Sequence, residues 1–407
     1  MFARNRNLLI LSFTLIVVML GFGMVIPIFP FYIDRLGAGG SALGLLVATA
    51  ALTEFTFGPV WGSVSDRTGR KPILMIGVVG YGLSLLLFGL STELWMLFAA
   101  RALSGVLSSA TMSTAMAYIG DSTSQKERGG GMGALGAAAG LGVILGPGIG
   151  GWLAGDSLST PFFIGAGLSL VSVLMIGLLL PETLPREARA PAGGKIRLMN
   201  LRELRRALTK GSPIRFLLLL AFIGTFGTAN FEAIFGLFML EQHGYGPEQV
   251  GGILTLVGIV AVIGRGVLTG WLTQWWGEAT VIKASLLAGA VGFVLLLLAN
   301  DYATVLLTTG LFVLITTFLR PAIHSLTSQR AMIGQGAAMG LSNSFVSLGR
   351  VAGPIWAGAI FDLNPNYPYM CGAAILLLGF VMSAIWIVRD QKVAAPEYPL
   401  SNTPFGD

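Results

Sequence analysis

Of 407 residues, 54% are hydrophobic and 11% charged, against roughly 25% charged in soluble globular domains. That balance excludes a soluble enzyme or binding module and implies an all-α polytopic membrane protein. The formal charge of +6 would suit a nucleic-acid partner if the cations were clustered on one surface, but they follow the order of apolar runs instead, and no such partner is expected.

Runs of about 20 apolar residues, long enough to cross a bilayer, fall near 8–33, 42–64, 72–90, 94–120, 130–154 and 162–180, and again near 214–240, 248–272, 281–299, 303–323, 333–360 and 370–388. Twelve helices in two sets of six give a six-helix bundle over 1–181, a connection over 182–213, a second bundle over 214–388 and a disordered tail over 389–407. The first run is too long for a signal-peptide core and carries Pro27 and Pro30, so it reads as a retained helix. Arg4, Arg6, Arg67, Arg70, Lys71, Lys126, Arg128, the cations from Arg186 to Arg215, Lys283, Arg330, Arg389 and Lys392 fall on one side of these spans. Only Arg35 falls on the other, with Asp34, Glu93, Asp156, Glu241, Glu248, Asp301 and Asp362. The positive-inside rule then places both termini in the cytoplasm of a cell-membrane protein whose constant partner is the bilayer. The single cysteine, Cys371, excludes an intrachain disulfide and reads as a small packing residue.

In chain order, the prolines of helix 1 bend its outer half. Asp34 follows at the outer boundary, either a solvated interfacial carboxylate or the outermost of the proton-coupling groups. Glu54 lies near mid-membrane in helix 2, where a carboxylate costs at least ~2.5 kcal/mol unless it is protonated, paired or facing water. The stretch from Gly62 to Lys71, with Asp66, Arg67, Gly69 and Arg70, then connects helices 2 and 3. Helix 4 carries Arg101 well inside the span, as a buried cation or one that snorkels outward, and closes on Asp121. In helix 5, Gly142, Gly146, Pro147, Gly150 and Gly151 form a bare stripe suited to close helix packing.

These signatures, in this order, resemble those of the major facilitator superfamily and specifically its twelve-helix drug:proton antiporter branch of multidrug and tetracycline exporters. Ser104 departs from the pattern, standing where the family often has Gln. The resemblance implies a cytoplasmic latch in which Gly62 admits helix 11, Asp66 faces that helix's positive N-terminal end, Gly69 makes the turn and Arg70 pairs with Asp121, and it favours the outward-open state.

The connection contains Asn200-Leu201-Arg202-Glu203, a capping-box-like start to a short basic amphipathic helix ended by Gly211 and Pro213; a solvated linker is the alternative. The second half repeats the first. Gly62, Asp66 and Gly69 recur 208 positions later as Gly270, Gln274 and Gly277, and Gly142, Gly146 and Pro147 recur 207 later as Gly349, Gly353 and Pro354. This points to duplicated halves. In helix 7, Glu232 with Asn230, Phe231 and Phe235 forms an intramembrane acid amid aromatics, suited to a cationic or amphipathic ligand or to a structural hydrogen bond. Arg265 and Arg350 are further intramembrane cations and candidate partners for acids. Arg320 is expected to snorkel at the inner end of helix 10, with His324 interfacial.

No nucleotide or metal motif appears, so no cofactor is expected and a proton gradient is the natural energy source. The expected function is drug:H+ antiport by alternating access in a monomer, without enzymatic chemistry. Glu54 and Glu232 would carry protons, and Arg101 would hold a nearby carboxylate ionised. A facilitator-fold transporter of a sugar, amino acid or other metabolite is the alternative; a non-transporting receptor is the remote one.

Overall fold

The computed structural model describes residues 2–124, 127–155, 157–189, 214–331 and 334–393, with 2–5, 188 and 387–393 described as backbone only. The amphipathic helix expected near 200–213 and the tail beyond Val393 lie outside the described residues. The last helix continues past Arg389 to Val393, five residues into the segment expected to be disordered.

Among the described residues, twelve helices are long and apolar enough to cross a membrane. They are α1 (Phe2–Arg35), α2 (Gly40–Thr68), α3 (Arg70–Gly89), α4 (Leu94–Ser122), α5 (Arg128–Leu153), α6 (Thr160–Leu179), α7 (Arg215–His243), α8 (Pro247–Trp276), α9 (Glu278–Leu297), α10 (Tyr302–Gln329), α11 (Gln335–Phe361) and α12 (Tyr367–Val393). Helix ends alternate between a basic face, which holds the start of α1 and the end of α12, and an acidic face.

Lipid tails are as apolar as leucine, so helices associate here by close packing rather than by escape from water. Glycine supplies it. A Cβ at Gly142, Gly146 or Gly150 would come within 2.6 Å of the α1 backbone at Ile16, Gly23 or Met24, so the bare stripe of α5 lies directly on α1. The second half repeats the arrangement, with Gly349 and Gly353 of α11 against the backbone of α7 at Phe222 and Phe226. Aromatic rings fill the rest of each bundle. Phe29, Phe88 and Phe162 cluster in the first half, with centroids 5.1 to 6.5 Å apart, and Phe231, Phe293 and Phe312 in the second, at 4.6 and 4.8 Å.

Two helices are interrupted. A π-helical turn, Gly264–Leu268, interrupts α8 and carries Arg265; such turns cluster at functional sites. In α10 the regular helix stops at Thr317 and resumes at Leu319, beside Pro321, which cannot donate to the carbonyl four residues back.

Among the described residues, the closest backbone approaches between the halves lie toward the acidic face. There Gly151 and Gly251 face the carbonyls of Pro247 and Pro147 across the α5–α8 seam, and Gly44 and Gly358 face those of Pro354 and Gly40 across the α2–α11 seam. Asp362, just beyond α11, accepts hydrogen bonds from the Gly40 and Ser41 amides at 2.6 and 3.0 Å. Toward the basic face, no described atom lies within 4 Å of a Cβ built at Gly62, Gly270 or Gly340. Among the described residues, the halves are in contact at the acidic face and apart around these glycines of the basic one.

Candidate functional site

Between the halves lies a cavity of about 390 Å³, within the range of small-molecule sites, walled by α1, α5, α7, α8, α10 and α11. Its charged lining is Glu232, Arg265, Arg320 and Arg350, with His324 beside them; Phe22, Phe231 and Phe312 give it aromatic surface. Helix geometry sets the depth. At 1.5 Å per residue, Glu232 stands ~17 Å from the acidic end of α7, Arg350 ~17 Å from the acidic end of α11 and Arg320 ~14 Å from the basic end of α10.

Glu54 reaches the edge of this space from α2, and its Oε2 lies 3.9 Å from Nη1 of Arg350 on α11. This ion pair crosses between the halves at mid-depth. Both side chains are partly exposed, 30% and 49%, so it is a wet contact of modest strength. Arg265 Nε donates to Thr317 Oγ1 at 2.9 Å, at the break in α10. Arg320 Nε faces His324 Nε2 at 3.5 Å. Neither guanidinium has a carboxylate oxygen within 4.0 Å among the described residues.

Several expected site residues lie elsewhere. Asn230 is 1% exposed and its amide donates to the Pro368 carbonyl at 2.8 Å, tying α7 to α12. Phe235 is fully buried against Phe231 at 5.0 Å. Of the four α7 candidates only Phe231 and Glu232 line the cavity. Asp34 is exposed at the acidic end of α1 and joins no intramembrane cluster. Arg101 does not snorkel, and among the described residues it meets no carboxylate within 4.0 Å; it is 6% exposed, with its guanidinium 5.0 Å from the Phe29 ring centroid and 5.9 Å from that of Phe22. Ring faces replace the expected acid as its nearest partners. Arg320 does not snorkel either, because α10 runs to Gln329 rather than ending near 323.

At the basic face, Gly69 turns the chain between α2 and α3 with φ 112°, a value that favours glycine. Arg70 Nε donates to Asp121 at 2.8 Å and its Nη1 to Asp66 at 2.6 Å. Lys71 reaches the Gly177 carbonyl at 2.8 Å. Asp66 and Gly62 do not meet α11, contrary to the latch expectation, because the halves are apart at this face and the Asp66 carboxylate is turned to Arg70. Glu182, absent from the sequence reading, accepts from the Arg70 and Lys71 amides at 2.9 and 3.2 Å. It fills the anion position at the α3 N-terminus and fastens the start of the connection between halves to the loop. Nothing in the local sequence relates it to Gly69. Asp362 figures in the sequence only as one of the acidic-side charges; the one signal of a further role is that the residue 207 positions earlier is Gly155.

The comparisons agree with this architecture. The family model described as Major Facilitator Superfamily matches residues 11–335 and 217–405. The chain is 32% identical over 389 residues to Multidrug resistance protein 2 of Bacillus subtilis (strain 168), covering 95% of this chain and 96% of that one. It is 34% identical over 383 residues to Multidrug resistance protein 1 of the same organism, covering 94% and 97%, and 30% identical to Quinolone resistance protein NorA of Staphylococcus aureus (strain COL), covering 94% and 96%. Among solved structures, a bacterial homologue of the human lysosomal transporter Spinster, in an inward-facing and occupied conformation, superimposes with TM-score 0.78 at 15% identity over 95% of this chain and 97% of that one; at that identity the likeness is one of fold. The chain belongs to the Major Facilitator Superfamily, as a multi-pass membrane transporter and not an enzyme.

Proposed function

We propose that this transporter exports small amphipathic, drug-like molecules in exchange for protons, with the basic face and both termini in the cytoplasm. The observation that carries the reading is the pair of mid-membrane carboxylates at the cavity, Glu232 in its wall and Glu54 held to Arg350 across the halves. An intramembrane acid facing a water-accessible space marks an ion pathway, and two of them supply the exchangeable charge that antiport needs. The names of the relatives, multidrug and quinolone resistance proteins, support export of drugs.

In this reading the cavity, open to the basic face, loads substrate from the cytoplasm or the inner leaflet. After the halves rock, protons arriving from outside neutralise Glu232, which releases its attraction for the substrate, and Glu54, which frees Arg350 and the inter-half contact. Arg101, held against aromatic rings near α1, keeps a fixed positive potential in the first half. Asp66, Arg70 and Asp121 hold the α2–α3 loop ready to meet α11 when the basic face closes. The proton gradient is the only energy source the reading needs. The test is drug accumulation in everted vesicles under an imposed pH gradient. Glu54→Gln and Glu232→Gln should each lose gradient-driven transport while remaining folded, and full transport by both single variants would refute the assignment.

A further inference from the structure

The charge of the cavity wall is unusual for a site meant to take a simple organic cation. Arg265, Arg320 and Arg350 line it against Glu232, with Glu54 reaching only Arg350 from outside the lining. Three guanidiniums thus face two carboxylates, and one of those carboxylates is already engaged. Arg265 and Arg320 come from different helices, α8 and α10, and both have nitrogens left over. Among the described residues, Arg265 gives only Nε to Thr317 Oγ1, and Arg320 gives only Nε to His324 Nε2, at 3.5 Å. Unpaired guanidiniums in a low-dielectric space favour a partner with two acceptor oxygens, which the fork geometry of arginine suits.

Each simple ligand charge fails on one count. A cation can pair with Glu232, but it must sit among three like charges. An anion can satisfy Arg265 and Arg320; protonating Glu232 would then tighten its hold, which gives co-transport with protons and not exchange. A molecule carrying both charges meets both requirements. Its amine competes with the proton at Glu232, and its acid group stays on the guanidiniums, which do not titrate in the working range.

We propose that the substrate is a zwitterionic amphiphile, its anionic group held by Arg265 and Arg320, its cationic group by Glu232, and its apolar body against Phe231 and Phe312. The inference rests on the exporter reading and adds the substrate's charge class to it. It also sets the electrical character of transport. One zwitterion out for one proton in moves one net positive charge inward, so an inside-negative potential drives export by about 50-fold per 100 mV. A monocation exchanged for one proton would be electroneutral.

Three dansyl compounds isolate the two charges on one fluorophore. Nα-dansyl-lysine is the zwitterion, dansylcadaverine is the same molecule without the carboxylate, and dansyl-norleucine keeps the carboxylate without the amine. Binding to the purified full-length chain in lipid nanodiscs is read from dansyl fluorescence, with no gradient present. The expected result is Nα-dansyl-lysine at least about tenfold tighter than either of the others. Arg265→Gln and Arg320→Gln should reduce it to the level of dansylcadaverine, and Glu232→Gln to that of dansyl-norleucine. Equal or tighter binding of dansylcadaverine or of dansyl-norleucine by the unaltered protein overturns the proposal, whatever the variants do. So does the absence of binding by all three. Because no gradient enters, a charge preference in nanodiscs without proton-driven transport in vesicles would refute the exporter reading and leave this inference standing; transport without the preference would do the reverse.

Discussion

Asp362 is the clearest place to test how the acidic face is held shut. Its two carboxylate oxygens accept from the Gly40 and Ser41 amides, at 2.6 and 3.0 Å, from the opposite half of the molecule. Those amides belong to the first turn of α2, where backbone donors have no partner within the helix and the macrodipole favours an anion. A hydrogen bond to a charged group is worth about 1.5–3 kcal/mol where water is excluded, and an anion at a helix N-terminus about 0.3–1 kcal/mol. Asp362 is exposed, so water replaces much of this when the contact opens. A net value of ~1–2 kcal/mol is the reasonable figure after that discount, equivalent to ~5–30-fold in the equilibrium between states. Asp362→Ala should therefore shift the population by that factor toward the state open at the acidic face. Asp362→Asn, which keeps one acceptor and loses the charge, should shift it by less.

The assay is a distance distribution between spin labels on cysteines introduced at Gly129 and Gly336, near the basic-face starts of α5 and α11, in a Cys371→Ala background. Neither position has a described atom within 4 Å of its Cβ, so a label fits at both. In Asp362→Ala the short-distance population should grow as the basic face closes. An unchanged distribution, or growth of the long distances, would show that the acidic-face contact does not govern the equilibrium.

The other expectations follow from single contacts. A side chain at Gly44 would collide with the Pro354 carbonyl, so Gly44→Val should wedge the acidic face apart and shorten the same label distance. Asn230→Leu removes the bond to Pro368 and should lower the thermal midpoint by an amount worth about 1–2 kcal/mol, with substrate preference retained because Asn230 does not line the cavity. Glu182→Gln leaves the α3 N-terminus without its anion, and should cost about 0.3–1 kcal/mol of stability, read by thermal unfolding. At the start of α10, Asp301 accepts from the Thr304 amide at 2.9 Å, and this holds its carboxyl below the usual aspartate range. A depressed value in the folded state means that stability is present at neutral pH and lost as pH falls through that value. The difference in melting temperature between wild type and Asp301→Asn should therefore shrink on acidification below the ordinary aspartate range; a difference constant with pH would refute it.

The spans, the duplicated halves and the glycine stripes were legible in the sequence because hydropathy and the glycine spacing of Gly142, Gly146 and Gly150 act through neighbours on the same helix. What failed needed knowledge of a partner. Asn230 and Glu232 are two residues apart, hence ~200° apart around the helix axis, and only one of them can face the cavity; nothing in α7 says which. Arg320 is deeper than expected because the apolar run ends near 323, whereas α10 breaks and continues to Gln329. Gly62 and Asp66 present a different difficulty. The resemblance implied a contact with α11, whereas the Asp66 carboxylate turns to Arg70.

The repeat makes the two inter-half seams comparable position by position, and they are not alike. Glycines match across them: Gly44 and Gly358 at the α2–α11 seam correspond, at the 207 offset, to Gly251 and Gly151 at the α5–α8 seam, with equivalent backbone approaches. The charges do not match. Glu54 and Arg350 have Ala261 and Val143 as their counterparts, Asp362 has Gly155, and, at the 208 offset, Asp66 has Gln274. Every one of these charges lies along the α2–α11 seam, one group at the basic end, a pair at the middle and one at the acidic end. Duplication supplies two equivalent seams, and two uncharged glycine seams would let the halves rock with no bias toward either state. Charging one of them is enough, because a rigid half that moves at α2–α11 must also move at α5–α8. The close approaches of the α5–α8 seam are glycine to backbone. On the α2–α11 seam, Asp362 engages the α2 amides at the closed acidic end, Asp66 is turned to Arg70 toward the basic end, and the Glu54–Arg350 pair lies between them.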